Sequence, residues 1–380
     1  MRKIVSLINL MLIPLVLAAC SGKEKLLMLN WGEYISDEVL ADFEKEYNCD
    51  VVMSLADSNE LFYSKIKSGT TVYDIVVPSD YMVEKMYKSD LLQEIDKSKL
   101  SNYSDEVFVS NVNAMIFDID ERVSGLSNYF IPYFFGTWGF MYNKNKPEII
   151  NTINKLAKTG DEYKIFFEHN KLIPNTKVAM YDNTRYAYAA SMFYNKVDVN
   201  SSNKEALKLF NDSLSNVKFN QWGTDTLKKA ISAKNLDLAY VWTGDFLDMA
   251  YTDLENSTDH DSLEYDIYIP NNTISFIDSL VIPKKARNVD LAHKFIDFLL
   301  KPENALKNAM KVGYCTPIND TYNMIVDYKG NDVFRQNLAY FIPKYYPLNP
   351  NTKGYQGNLL ADFNRHYVSD ITTILNNSKI

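Results

Sequence analysis

Aromatic rings and carboxylates recur close together at three places along this chain. The segment VWTGDF contains Trp242 and Asp245, and the segment SFIDSL contains Phe276 and Asp278. The segment NWGEY adds a third group, which consists of Trp31, Glu33 and Tyr34. Aromatic faces and carboxylates both attract cations, so the pattern predicts a site for a ligand that is apolar in the middle and positively charged at its ends. Chance is the alternative, because the chain has 27 tyrosines.

The spacing within the first two pairs determines whether ring and acid can act together. Phe276 and Asp278 are two residues apart, so on a strand they would share one face. Trp242 and Asp245 are three residues apart and need a turn, which Gly244 permits. Each of these residues taken singly is more typical of a protein core than of a binding site, and only the set is specific.

The first twenty residues, MRKIVSLINLMLIPLVLAAC, have the pattern of a secretory signal peptide. Arg2 and Lys3 form a basic start, residues 4–17 are almost wholly apolar, and two alanines precede Cys20. The apolar stretch is too short for a membrane span. The ending LAAC resembles the bacterial lipobox, which predicts removal of residues 1–19 and acylation of Cys20; an ordinary signal peptide with a chance cysteine is the alternative. We therefore expect an extracytoplasmic protein that a lipid anchor attaches to a bacterial membrane.

The mature chain is acidic. Of the 40 basic residues in the sequence two lie in the signal peptide, which leaves 38 against 48 acidic residues and a formal net charge of −10. This excess disfavours nucleic acid as a partner and suits a cationic ligand. Cys49 and Cys315 could form a disulfide in an oxidising compartment, and the sequence does not decide between a disulfide and two free thiols. No cluster of His and Cys typical of a metal site occurs, so neither a metal nor a cofactor is expected.

The elements that must position these residues begin with a regular alternation of strands and helices. The order is strand KLLMLNW, helix SDEVLADFEKEY, strand CDVVMSLA, helix SNELFYSKIKSG and strand YDIVVPS. Ser36 is the predicted N-cap of the first helix, Gly69 closes the second, and Asp80 is interpreted as the cap of a helix over 81–88. This pattern predicts an α/β protein with a parallel sheet and helices on its faces. About 360 mature residues exceed the usual size of one core, so two lobes are expected.

The ends of the strands predict which residues meet. In an open α/β sheet, ligands lie in the crevice beyond the carboxyl ends of the strands. NWGEY follows the first strand and VPSDY follows the third, so both segments reach the same crevice. The residues that we expect to meet there are Trp31, Glu33, Tyr34, Ser79, Asp80 and Tyr81. Glu33 and Asp80 are the acids among them that would offer negative charge to a cation.

Beyond these patterns, the chain resembles the polyamine-binding proteins of ABC transporters. The resemblance is continuous over 26–145 and resumes over 235–320, whereas 150–230 match poorly. The blocks that carry it are NWGEYISDEVLADFEKE, SNELFYSKIKSG, YDIVVPSDYMVEKM, LLQEIDKSKL, IPYFFGTWGFMYNK, VWTGDF, IDSLVIPKKA, FIDFLLKPENA and GYCTPIND.

The resemblance implies a fold and a function. The fold is the two-lobed periplasmic-binding-protein fold of type II, in which each lobe has a central, mostly parallel sheet flanked by helices and the ligand lies in the cleft between the lobes. The first lobe is expected to comprise 26–134 with 278–318, and the second 135–277 with 319–380. The implied function is that of a monomeric receptor, which captures a polyamine and delivers it to the permease subunits of an ABC transporter.

The resemblance also assigns roles to residues that match the family's motifs. Asp278 matches the acid that binds an ammonium group, and Asp245 matches an acid of putrescine-preferring members. Gln356, in GYQGN, matches a late polar contact. The remaining matches are the residues that line the first wall and its adjoining loop, followed by aromatic residues elsewhere: Trp31, Glu33, Tyr34, Ser79, Tyr81, Trp242, Phe276 and Tyr314.

One loop departs from the family's pattern. Spermidine-preferring relatives have two acids on the loop that MYDNTRYAY occupies. Alignment on Arg185 places Asn183 and Tyr186 at those positions and leaves Asp182 one residue out of register, so Asp182 and Tyr186 are further candidates for the site. Together with Asp245, this departure favours putrescine, with spermidine as the second choice.

Other classes of function are open at this point. A ferric-ion or other small-solute binding protein of the same fold is the main alternative, since the adjacent Tyr345 and Tyr346 offer oxygen ligands to a hard cation. An enzyme is not expected, because the sequence has no GxSxG, HExxH, Walker or GxGxxG motif. Glu33 and Asp278 would make a glycosidase pair only in an open sugar cleft. A lipid-anchored adhesin is a third alternative.

Overall fold

The computed structural model describes residues 22–346 and 358–379, and the signal peptide, Cys20 and Gln356 lie outside these ranges. The strands, in chain order, are β1 Glu24–Asn30, β2 Cys49–Leu55, β3 Ile75–Val76, β4 Ile131–Asn143, β5 Val178–Tyr181, β6 Gln221–Gly223, β7 Leu238–Trp242, β8 Tyr265–Tyr268, β9 Ile274–Leu280 and β10 Asn358–Leu359. The helices are α1 Asp37–Tyr47, α2 Asn59–Ser68, α3 Asp80–Lys88, α4 Ser110–Arg122, α5 Pro147–Ala157, α6 Lys164–Phe167, α7 His169–Leu172, α8 Thr184–Tyr194, α9 Lys204–Ser215, α10 Thr226–Ser232, α11 Thr243–Asp253, α12 Val289–Leu300, α13 Pro302–Val312, α14 Asn319–Val326, α15 Val333–Tyr345 and α16 Arg365–Ser378.

The first sheet has the order β2–β1–β3, and all its strands are parallel, as the alternation of the sequence predicts. α1 and α2 connect the strands and bury the apolar side chains of Phe43 and Phe62. Gly69 ends α2 with φ at 64°, in the left-handed region that favours glycine. Because β1 and β3 are parallel neighbours, the segments that follow them leave the same edge of the sheet.

Two helix starts differ in detail from the prediction. Ser36 lies at the N-cap of α1, but its side chain makes no capping hydrogen bond. α3 begins at Asp80 with Ser79 in the N-cap position, so the interpretation of Asp80 as a cap is wrong. The reason is packing: Asp80 is buried in the first turn, and the Ser79 hydroxyl donates a hydrogen bond to Asp278 instead of capping the helix.

The second sheet is mixed rather than mostly parallel. Its order is β10–β9–β4–β7–β5–β6, and β8 also pairs with β4. β5 is parallel to β6 and β7, whereas β4 is antiparallel to β7, β8 and β9. β4 is long enough to have several partners: its 13 buried residues pair with β9 along one stretch and with β8 along the next.

β9 contributes to both sheets. It is hydrogen-bonded along β4, and isolated antiparallel bridges join Asp278 to Ser79 and Val281 to Val76 in the first sheet's region. The predicted lobe boundaries at 134/135 and 277/278 therefore fall inside β4 and β9. The division into lobes at these residues stays a prediction.

The structure also describes the two cysteines and the apolar character of the helices. Cys49 and Cys315 are both buried and free, so the structure has two thiols rather than the disulfide that the sequence left open. Across 22–346 and 358–379, none of the helices combines the length and the apolar composition needed to span a membrane.

Candidate ligand-binding site

Asp278 is held by two hydroxyl groups from the first sheet's region. Tyr34 Oη donates to Asp278 Oδ2 at 2.7 Å, and Ser79 Oγ donates to Asp278 Oδ1 at 2.6 Å. Tyr34 follows β1 and Ser79 follows β3, as the strand-end argument predicts, and Asp278, which that argument did not include, reaches them from β9. The prediction that Tyr34 and Ser79 lie close together is therefore confirmed, while the roles of the three residues in binding stay predictions.

The electrostatics of Asp278 leave its negative charge without a cation. The carboxyl group is buried, with 7 % of the residue exposed. Burial raises the pKa of Asp278 to about 6, and the hydrogen bonds from Ser79 and Tyr34 act in the opposite direction. Both of its partners are neutral donors, and no Lys, Arg or His of the described chain contributes to the pKa shift. An uncompensated buried carboxylate is a ready partner for a cationic group.

Asn59 fixes the position of Ser79. It is the first residue of α2, where the SNE sequence starts the helix, and it is buried. Its Nδ2 donates to Ser79 Oγ at 3.0 Å, and its Oδ1 accepts from the Ser79 backbone N–H at 3.0 Å. Ser79 Oγ is thereby left to donate its own proton to Asp278. The sequence analysis missed Asn59, because an asparagine at a helix start is ordinarily read as a capping residue.

Aromatic rings form a wall beside Asp278. The Phe276 ring is 4.5 Å from the Trp242 ring, and the Trp242 ring is 4.2 Å from that of Trp138. Tyr314 lies 5.4 Å from Tyr34, so the wall reaches the hydroxyl group that binds Asp278. Trp138, on β4, is fully buried. It supports the wall from behind and was missed because it lies among the many apolar and aromatic residues of a wholly buried strand.

Two glycines allow this wall to pack against the backbone. A Cβ atom at Gly136 would lie 2.7 Å from the Phe276 ring, and one at Gly244 would lie 2.1 Å from the Tyr314 ring. Trp242 ends β7, and Asp245 lies in the first turn of α11, so this helix start supplies the turn that their spacing requires. Gly244 has a further role that the sequence did not indicate, since it makes room for Tyr314.

Asp245 forms the second acidic position of the site. It is buried, with 3 % exposed, and its Oδ2 atom has no hydrogen-bond partner in the described structure. Its Oδ1 atom lies 3.3 Å from Lys228 Nζ. Burial raises the pKa of Asp245 to about 6, and the Lys228 ammonium acts in the opposite direction. The sequence analysis missed Lys228, which is the first of two consecutive lysines on α10.

A third buried acid lies near Asp278. Asp80 is 4 % exposed, and its Oδ2 atom has no hydrogen-bond partner among the described residues. Burial raises the pKa of Asp80 to about 8; the positive charge of Arg122 lowers it, and the negative charge of Asp278 raises it further. A carboxyl group with this pKa is mostly protonated at pH 7, so Asp80 supplies little of the negative charge that the sequence analysis expected from it.

The other predicted residues of the first wall surround this centre at differing depths. Trp31 is half-buried, with its indole N–H donating to the Val77 carbonyl at 2.8 Å. Tyr81 is buried, and its hydroxyl donates to Glu60 at 3.3 Å. Glu33 is exposed and has φ at 53°, so it stands outside the buried cluster.

The two further candidates on the MYDNTRYAY loop separate in the structure. Tyr186 is buried, with its ring 4.9 Å from the Trp242 ring. Burial raises the pKa of Tyr186, and the negative charge of Asp278 raises it further. Asp182 instead pairs with Lys379 at the C-terminal end of the chain. Asn183 caps α8, accepting hydrogen bonds from the backbone of the first turn. The structure therefore brings Tyr186 to the site and leaves Asp182 outside it.

The two tyrosines of the ferric-ion alternative have separate partners. Tyr345 Oη donates to Asp266, whereas Tyr346 Oη lies 2.7 Å from Thr243 Oγ1. Within 22–346 and 358–379, no group of three or more His, Cys, Asp or Glu residues has a geometry suited to a metal ion.

Gly244 offers a test of the packing that places Tyr314. Alanine is normally the better helix residue by about 1 kcal/mol, but at this position its Cβ would overlap the Tyr314 ring. We expect Gly244→Ala to lower the free energy of unfolding by about 1–3 kcal/mol, measured by urea denaturation. Gly32→Ala is the control, because nothing lies within 4 Å of the added Cβ there. Equal stabilities of the two variants would contradict the close packing.

The fold and the site define a solute-binding protein, and comparison with known proteins agrees. The family model of bacterial extracellular solute-binding proteins matches residues 28–306, and the chain belongs to that family. Membership confirms the prediction of a binding protein in place of an enzyme, and of the type II periplasmic-binding-protein fold.

Individual relatives bear names that specify a ligand. The chain is 29 % identical over 305 residues to the spermidine/putrescine-binding periplasmic protein of Salmonella typhimurium, which covers 79 % of each chain. It is 27 % identical over 304 residues to the putrescine/cadaverine-binding protein of Pseudomonas aeruginosa, over 79 % of this chain and 81 % of the relative. Among solved structures, the spermidine/putrescine ABC transporter substrate-binding protein PotD of Streptococcus pneumoniae matches with a TM-score of 0.68 and 26 % identity, over 94 % of this chain and all of that one. The resemblance inferred from the sequence blocks is thereby confirmed.

Proposed function

We propose that this protein is a lipid-anchored receptor that captures polyamines, putrescine in preference to spermidine, and delivers them to the permease of an ABC transporter. The observation that carries the proposal is the buried Asp278 carboxylate, which two neutral hydroxyl groups hold and no cation of the described residues neutralises. The names of the relatives support the choice of ligand class. Attachment through Cys20 rests on the lipobox-like LAAC, which lies outside the described residues.

A diamine suits the chemistry of this site from end to end. Each ammonium of putrescine needs an acceptor, and its four methylenes need an apolar wall. Asp278 supplies the acceptor at one end and Asp245 at the other, while Trp242, Phe276 and Tyr314 supply the wall. A charge-assisted hydrogen bond contributes about 1.5–3 kcal/mol net, and an aromatic face adds up to about 2 kcal/mol for a desolvated cation. Micromolar affinity corresponds to about 8 kcal/mol, which contacts of this kind are able to provide.

The same fold suggests how capture is coupled to transport. With lobes divided at β4 and β9, the contacts of Lys85 with Asp362 at 3.6 Å and of Arg122 with the Leu360 carbonyl at 3.4 Å cross from one lobe to the other. Closure of the lobes would bury the ligand and present both lobes together to the permease. We infer that the receptor acts as a monomer at this step.

The first experiment compares two ligands on the mature protein without its acyl chains. We expect calorimetric titration at neutral pH to show tighter binding of putrescine than of spermidine, because Asn183 and Tyr186 occupy the positions at which spermidine-preferring relatives have acids. A preference for spermidine would mean that Asp182 leaves Lys379 and enters the site. Binding of neither amine would overturn the proposed ligand class while leaving the family assignment intact.

Asp278 is the most direct target for mutation. We expect Asp278→Asn to weaken putrescine binding at least tenfold, or by about 1.4 kcal/mol, since the amide keeps the shape of the carboxyl group and loses its charge. The matched control is Asp237→Asn, another buried aspartate, whose partner is Lys146. Unchanged affinity in Asp278→Asn would remove this residue from the site.

The acids of the site also predict a pH dependence. Because the pKa values of Asp278 and Asp245 are raised to about 6, both are ionised at pH 7.5 and become protonated as the pH falls through 6. Putrescine stays doubly charged over this range, since alkyl ammonium groups titrate near pH 10. We expect its affinity, measured by titration in a series of buffers, to fall between pH 7 and 5. The double variant Asp278→Asn with Asp245→Asn is expected to lose this dependence, and a flat profile in the native protein would contradict the ionised-acid mechanism.

A further inference from the structure

The two acidic positions of the site differ in one respect that the proposed function does not explain. At the Asp245 position, the protein supplies a positively charged side chain of its own. Lys228, on α10, places its Nζ atom 3.3 Å from Asp245 Oδ1 and 2.8 Å from Asp248 Oδ2. The Lys228 side chain is only 14 % exposed, so its ammonium is held mainly by protein groups.

The Asp245 carboxylate is divided between an internal cation and an open position. Oδ1 is engaged by Lys228, whereas Oδ2 is buried with no hydrogen-bond partner among the described residues. A buried carboxylate oxygen without a donor is costly, so Oδ2 invites a donor from outside the chain. Asp278 has the opposite arrangement, since neutral hydroxyl groups engage both of its oxygens and, within 22–346 and 358–379, no cation lowers the pKa of its carboxyl group.

A ligand ammonium that reaches Asp245 therefore meets Lys228 as well. The two ammonium groups would share one carboxylate, and the repulsion between like charges opposes the gain from the new hydrogen bond. Asp248 moderates this repulsion, because it lies one helical turn beyond Asp245 and draws the Lys228 ammonium toward the solvent-exposed side.

Building on the proposed function, we propose that Lys228 is a specificity-determining residue, whose ammonium shares Asp245 with the second ammonium of the ligand and limits how much that second ammonium adds to affinity. The ligand class is that of short alkyl amines bound by their first ammonium at Asp278. In this arrangement Lys228 sets the selectivity for diamines over monoamines, whereas Asp278 and the aromatic wall set the affinity common to both.

The test measures the ratio of two affinities rather than either one alone. The mature protein is titrated calorimetrically with 1,4-diaminobutane and with butylamine, which share one ammonium and the alkyl chain. Their affinity ratio isolates the contribution of the second ammonium. We expect Lys228→Met to raise this ratio at least tenfold. A ratio within twofold of the native value, or a lower one, would overturn the proposal and leave Lys228 as a neutralising partner of a buried acid.

Lys229→Met is the matched control. It removes the same charge from the neighbouring, exposed position on α10, so it is expected to leave the ratio within twofold of the native value. A tenfold rise in this variant too would overturn the proposal, because it would assign the effect to the general field of the protein.

If Lys228→Met does not fold, a second variant tests the same proposal. Asp248→Asn changes a half-exposed residue and removes the closer partner of the Lys228 ammonium. Lys228 should then turn fully to Asp245, so we expect the ratio to fall at least threefold; an unchanged or higher ratio would overturn the proposal.

The outcome for the native protein separates this proposal from the function on which it rests. If the native protein binds neither amine, the proposed function fails and the role of Lys228 fails with it. If the native protein binds both amines and the variants leave the ratio unchanged, only the role of Lys228 is overturned.

Discussion

The carboxylate of Asp278, between the hydroxyl groups of Tyr34 and Ser79, is the contact on which the rest of the site depends. These side chains come from three segments that are far apart in the chain, separated by 244 and 199 residues from Asp278. Each follows or belongs to a different strand, and β9 carries Asp278 to the boundary between the two sheets. Position and charge are therefore set together, because the same hydrogen bonds that fix Asp278 also satisfy its oxygens without cancelling its charge.

This arrangement accounts for the polarity of the site as a whole. A negative charge inside a wall of aromatic rings is unfavourable unless something positive joins it. Near Asp278 the protein supplies hydroxyl groups from Tyr34 and Ser79 and leaves the cation to come from outside, whereas at Asp245 it supplies a cation of its own through Lys228. The two acids of the candidate site therefore differ, because Lys228 pairs with Asp245 whereas the described partners of Asp278 are neutral.

Much of this could be predicted from the sequence, for reasons that the structure makes clear. Tyr34 and Ser79 follow parallel neighbouring strands, and strand ends on one edge of a sheet must converge. Phe276 and Asp278 lie two residues apart on one strand and so share a face, which follows from the local sequence alone. These inferences needed only the period of a strand and the direction of a parallel sheet.

The residues that were missed depend on partners distant in the chain. Lys228 has the sequence context of a solvated helix face, and only the packing of α10 beside α11 brings it to Asp245. The sequence places Asp80 in the crevice, but the burial that raises the pKa of its carboxyl group follows from how α3 packs rather than from its neighbours in sequence. The antiparallel pairing of β4 with three strands likewise leaves no local pattern, since an apolar strand is equally compatible with either direction.

The glycines beneath the aromatic wall restrict how this receptor could change in evolution. Phe276 packs on Gly136 and Tyr314 packs on Gly244, each at a distance that leaves no room for a side chain on the glycine while the ring keeps its position. A side chain at either glycine would therefore require a compensating change in the ring that packs on it. Charged residues at the edge of the site, such as Asp248, do not pack against a glycine in this way, because their side chains reach solvent. Divergence toward new ligands should accordingly proceed through substitutions at the ends of the site, one residue at a time, while the rings between them persist.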